Sequence, residues 1–62
     1  MNQFTPHNTR KGEKFVSLDG SVSGTVVECR FCPYARTDIV MVWGWRGERV
    51  QFEVKAETIR RA

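Results

Sequence analysis

Two cysteines three positions apart, Cys29 and Cys32, are the residues of this chain with the plainest capacity for chemistry. A Cys-x-x-Cys pair serves as half of a zinc site or as a redox dithiol. A zinc ribbon needs a second such pair, which is absent, and the single histidine, His7, offers at most a third ligand with no spacing that specifies a fourth. A thioredoxin-like dithiol sits beside a βαβ unit, and no segment here has a helical period long enough to build one. The pair therefore reads as two reduced cysteines on a strand, free Cys being among the most buried residue types. His7 falls in a polar stretch that offers nothing to hold its geometry, and Asp19 and Asp38 stand beside turn residues, where Asp organises backbone. No glycine-rich loop precedes a helix. With no base, nucleophile or metal held in place, the expectation is a chain that is not an enzyme and uses no cofactor.

The elements that would position any site are strands. Residues 1–12 are polar, show no period of 2 or 3.6, and read as a flexible N-terminal arm ahead of a domain over residues 13–62. Phe15-Val16-Ser17-Leu18 is a short apolar run closed by the turn dipeptide Asp19-Gly20, with either parity plausible as its inner face. In Thr25 to Cys32 the alternation predicts Val27, Cys29 and Phe31 on one face and Glu28 and Arg30 on the other. Pro33 ends that strand and opens a loop to Asp38. In Ile39 to Trp45, Ile39, Met41, Trp43 and Trp45 share one face while Val40, Val42 and Gly44 share the other. Such a strand is covered on both sides or keeps a face for a partner. Trp43 is expected in the core and Trp45 nearer the surface. Arg46-Gly47-Glu48 signals a tight turn into Arg49 to Lys55, which alternates cleanly with Val50, Phe52 and Val54 inward. Ala56-Glu57-Thr58 is long enough for one 3₁₀ turn before a short last strand from Ile59.

The chain has 62 residues and ten Lys+Arg against seven Asp+Glu, a formal charge of +3. A domain of this size buries only about 60% of the surface its unfolded chain exposes, which argues against a deep cavity within one chain. It leaves room for a shallow surface site or a pore shared between subunits. No apolar run approaches the roughly 20 residues that cross a bilayer, and no apolar signal core stands at the start. The expectation is a cytoplasmic chain with no membrane partner.

Five short strands closed by a 3₁₀ turn describe a small barrel, which would hide its sheet edges. The segment from Gly12 to Arg61 resembles the SH3-like barrels of the Tudor and KOW kind. Gly12-Glu13-Lys14-Phe15 matches at the start, Gly24-Thr25-Val26-Val27-Glu28 at the second strand, and Val40-Met41-Val42-Trp43 at the third. Val54-Lys55-Ala56-Glu57-Thr58-Ile59-Arg60 matches the close. The resemblance implies an all-β, SH3-like five-stranded barrel, with a 3₁₀ turn before the last strand, that binds nucleic acid or the transcription and translation machinery. A narrower resemblance joins Val50-Gln51-Phe52 and Val54-Lys55-Ala56 to the pore-lining segment of the type II dihydrofolate reductases, barrels that build one active pore from four chains. That family carries Tyr where this chain has Glu53, and its substrate-contacting Lys falls near Ser17 or Leu18. Fold analogy does not by itself carry function.

Binding is the function these residues favour. Tyr34, Arg36, Trp45, Arg46, Arg49, Arg60 and Arg61 combine aromatic faces with guanidinium groups, which suits RNA or single-stranded DNA. Stacking falls to Tyr34 and Trp45, and pairing with phosphate or carboxylate to the arginines. Tyr34 and Trp45 are further expected to wall one pocket. The rival class is a protein partner, for a small regulator or inhibitor of the kind a phage, plasmid or bacterium encodes, since Trp and Arg dominate interface hot spots. The second apolar face of Ile39 to Trp45 is a candidate seam for a homo-oligomer.

Overall fold

The computed structural model describes residues 3–45 and 47–62. It contains five strands: β1 (Lys14–Ser17), β2 (Ser23–Cys32), β3 (Thr37–Trp45), β4 (Arg49–Lys55) and β5 (Ile59–Arg61). They form one antiparallel sheet in the order β4-β3-β2-β1-β5. Short turns join β1 to β2 and β2 to β3. A single 3₁₀ turn at Ala56–Thr58 then carries the chain from β4 round to the free side of β1, where β5 pairs with it. The sheet does not close, and β4 and β5 are its two ends.

Local chemistry sets each reversal. Between β1 and β2, Asp19 Oδ1 accepts from the Ser17 hydroxyl, the Ser21 hydroxyl and the Ser21 amide at 2.7, 2.7 and 2.9 Å. The reversal itself needs positive φ, and Gly20 supplies it at 78° without the cost a Cβ would impose. In the loop between β2 and β3, Arg36 holds the left-handed conformation at φ 54°, a rare state for a side-chain-bearing residue.

The core consists of Phe4, Phe15, Val26, Val40, Val42, Ala56 and Ile59, with Val22, Cys29, Phe52 and Val54 packed against it. Phe15 fixes the parity of β1. On β2 the alternation breaks: Val26 pairs with Val42 while Glu28 pairs with Met41, so Val27 is the extra residue of a β-bulge. The inner residues are therefore Val26 and Cys29, not Val27 and Cys29, and Phe31 runs beyond the core and is exposed. Trp43 is likewise corrected. Val40, Val42 and Gly44 face inward, so Trp43 lies on the outer face and is 38% exposed.

The first residues also depart from expectation. An arm over residues 1–12 with no part in the core does not describe Phe4, which is fully buried. A short turn holds it there, in which the Thr5 amide donates to Asn8 Oδ1 at 2.8 Å and Thr9 Oγ1 donates to the Thr5 carbonyl at 2.7 Å. The Gly12 amide then joins β2 by donating to the Val26 carbonyl.

Candidate aromatic-arginine site

On the outer face of the sheet, β3 presents Ile39, Met41, Trp43 and Trp45 in a row. Register places Lys55, Glu53, Gln51 and Arg49 of β4 opposite them in that order. On the other flank Arg30, Glu28 and Thr25 of β2 face Ile39, Met41 and Trp43. Arg30 and Glu53 reach diagonally across β3 to form an ion pair at 3.1 Å, which spans the row between Ile39 and Met41. Both groups are well exposed, so the pair adds little to stability, roughly 0–1 kcal/mol. Its effect on the face is to divide it, leaving the Trp43–Trp45 end open.

At that open end Trp45 is 65% exposed. The Arg49 guanidinium carbon stands 5.3 Å from the centroid of the Trp43 ring, within cation–π range. A shallow cavity of about 230 Å³ is lined by Thr25, Trp43, Trp45, Arg49 and the backbone of Gly24 and Gly44. The two glycines reflect close packing beneath. Gly24 lies directly against the Trp43 carbonyl, and a Cβ on Gly44 would come within 2.8 Å of the Phe52 ring. Among the described residues, no carboxylate lines this cavity. A larger one, about 400 Å³, opens between the β1–β2 turn and β4; Leu18, Phe52 and Val54 line it, with Asp19 and Glu57 among its polar groups.

Of the residues singled out in the sequence, Trp45 and Arg49 are brought together as direct cross-strand partners. Arg46 lies outside the described residues. Tyr34 and Arg36 sit in the loop at the opposite end of β3, both exposed, with Tyr34 wholly so. Eight residues of strand, Thr37 to Gly44, separate that loop from Trp45, about 26 Å at ~3.3 Å per residue. Tyr34 and Trp45 thus cannot wall one pocket. Arg60 is exposed on β5, away from the aromatic row.

Arg61 has other work. It lies on the inner parity of β5 with Ile59, and its guanidinium is shared among the Glu13 carboxylate at 3.2 Å, the Gln3 carbonyl at 3.2 Å and the Asn8 carbonyl at 2.8 Å. Glu13 in turn accepts from the Arg10 amide at 2.9 Å. That bond first, and Arg61 second, hold its carboxyl below the usual range. Trp43 is the site residue that sequence reasoning missed, although its shared parity with the exposed Trp45 was the available signal.

The cysteines are both free, and they lie on one extended strand. Residues three apart on a strand are about 10 Å apart at their Cα atoms, beyond the ~7 Å limit for a disulfide. Burial pushes the Cys29 thiol up from its ordinary value. Among the described residues, no three His, Cys, Asp or Glu side chains gather as a metal site would require. None of the helices among them is long and apolar enough to cross a membrane. Gln51, the centre of the reductase-like segment, lies on β4 opposite Trp43, and Glu53 beside it is engaged by Arg30.

Compared with known proteins, the chain matches no family model, and no curated protein or solved structure matches it.

Proposed function

We propose that this chain is a non-enzymatic binding module, a small barrel of the SH3-like kind, that takes single-stranded RNA or DNA on the outer face of β3. The observation that carries the reading is the open aromatic end of that face. There Trp45 is exposed, and Trp43 is capped by Arg49 beside a shallow cavity that no carboxylate among the described residues lines. Bases stack on indole rings at roughly 1–3 kcal/mol each, and a guanidinium already lying on a ring keeps its in-plane N–H groups available to phosphate. A net charge of +3 favours such a polyanion without fixing it tightly.

Titration of fluorescently labelled single-stranded RNA, single-stranded DNA and duplex DNA, followed by anisotropy at low and near-physiological salt, tests the proposal. Micromolar or tighter binding of a single strand, with a steep salt slope and at least a tenfold loss on Trp45→Ala, is the expected result. No binding of any strand at low salt overturns it. The same face would then be assigned to a protein partner, to be sought by affinity capture with Trp45→Ala as control.

A further inference from the structure

The larger cavity, about 400 Å³, takes its lining from both ends of the sheet. Phe52 and Val54 come from β4 and Ile59 from β5, while Phe15, Leu18 and Val22 complete its apolar part. Sites for small molecules fall in the range of about 300–1,000 Å³ and combine such a lining with a few placed polar groups. The polar side chains here are one-sided. Ser17 Oγ and Ser21 Oγ both donate to Asp19 Oδ1, and Thr58 Oγ1 donates to the Lys55 carbonyl. Every hydroxyl proton on the lining is thereby spent, which leaves Asp19 and Glu57, carboxylates that only accept. The three bonds that fix Asp19 all end on Oδ1 and none on Oδ2. Among the described residues Glu57 has no ion-pair partner, and no Lys or Arg lines the cavity, although the chain carries a net charge of +3.

We infer that this cavity binds a small apolar molecule that carries an ammonium group, with the apolar body against Phe15, Val22, Phe52 and Ile59 and the ammonium held by Asp19 and Glu57. Charge and donor complementarity select this occupant. A phosphate or carboxylate would meet two like charges and no side-chain donor, whereas an ammonium brings the donors that the lining lacks. Hydrogen bonds from an ammonium to a carboxylate are among the stronger kinds, being charge-assisted. Asp19 is already fixed by its bonds from Ser17 and Ser21, so little further ordering is needed when a ligand arrives. The cavity is lined by the inner side chains of β4, while the Trp43–Trp45 end lies on the outer face. The inference therefore does not depend on what the aromatic face binds.

Titration of the isotope-labelled full chain with 2-phenylethylammonium, followed by amide NMR shifts, tests the site. Saturable shifts at Leu18, Val22 and Thr58 are expected, with a dissociation constant of about 1 mM or below for so small a probe. The uncharged 2-phenylethanol should bind the same residues at least about threefold more weakly, and 3-phenylpropionate should give no saturable shift. Glu57→Gln changes an exposed residue and should weaken the ammonium about threefold or more while leaving the alcohol unchanged. Asp19→Asn should do the same, with circular dichroism to confirm that both variants are folded. Should Asp19→Asn fail to fold, Glu57→Gln decides alone. An ammonium that gives no saturable shift overturns the inference, as does one whose shifts centre on Trp43 and Trp45. So does a propionate that binds as tightly as the ammonium, or a Glu57→Gln chain with the parental affinity.

Discussion

The guanidinium of Arg61 lies over the ring of Phe4, its carbon 4.4 Å from the ring centroid. One contact thereby binds the last strand to the first described turn of the chain. The same group donates to Gln3, Asn8 and Glu13, so residues separated by 48 to 58 positions close the end of the inner face. Phe4 fills the space beneath and is completely buried.

That closure makes the first residues part of the domain's stability. Phe4→Ala removes a buried aromatic and should cost about 3–5 kcal/mol, comparable to the whole stability of a domain this size. Deleting residues 1–9 should destabilise similarly. Arg61→Ala should lower the thermal midpoint clearly, while Arg60→Ala, on the exposed parity of the same strand, should stay within about 0.5 kcal/mol of the parent. Thermal and urea denaturation followed by circular dichroism would show it, and equal effects of the two arginine variants would contradict the clamp.

Close strand approach at Gly24 gives a second expectation. A Cβ there would collide with the backbone carbonyl of Trp43, which cannot move without parting β2 from β3. At Gly44 the collision is with the Phe52 ring, a side chain with some freedom to turn. Gly24→Ala should therefore unfold the chain or lower its urea midpoint far more than Gly44→Ala does. Because Gly24 and Gly44 are cross-strand partners, both variants alter the floor beneath the aromatic site.

These contrasts mark what the sequence made legible. The five strands, the turn at Asp19-Gly20 and the 3₁₀ turn are written in local pattern, and the structure has them. Val26 was misread because a bulge shifts parity midway through β2, and no alternation signal announces a residue that pairs with nothing. Phe4 was missed because one apolar residue in a polar stretch has no period. Arg61 looked available because its partners are distant in sequence. The site was half legible: Trp45 and Arg49 follow from the hairpin. The placement of Tyr34 and Arg36 at the far end depended on the length of β3, which separates two loops that composition alone makes look alike.

Acidification should expose the turn between β1 and β2. Hydrogen bonds from Ser21 first, then Ser17, hold the Asp19 carboxyl at about 2, below its ordinary value. A carboxyl with a depressed folded pKa contributes stability that is complete above its unfolded pKa, near 4 for Asp, and lost as pH falls through the folded one. Glu13, lowered by the Arg10 amide and Arg61, acts in the same direction. The urea midpoint should fall between about pH 4.5 and pH 2, and Asp19→Asn should fall less steeply over that window. The two chains should differ most near pH 5 and converge near pH 2; parallel curves would remove Asp19 from the acid response.

The last prediction separates the two halves of the aromatic-arginine site. Trp45 offers a ring to stack on, whereas Arg49 offers charge, and the two contributions respond differently to salt. Loss of one phosphate contact should reduce the slope of log K against log salt by about 0.7 for a single strand. Stacking on an indole releases no counterion. Arg49→Gln should therefore weaken single-strand binding at low salt and converge on the parent as salt rises. Trp45→Ala should lower affinity by a similar factor at every salt concentration. Arg49→Lys keeps the charge but gives up the planar stack on Trp43, so it should retain the parental slope with a reduced affinity. Anisotropy titrations at four salt concentrations resolve all three. If Trp45→Ala changed the slope while Arg49→Gln left it intact, the assignment of stacking to one residue and charge to the other would be wrong.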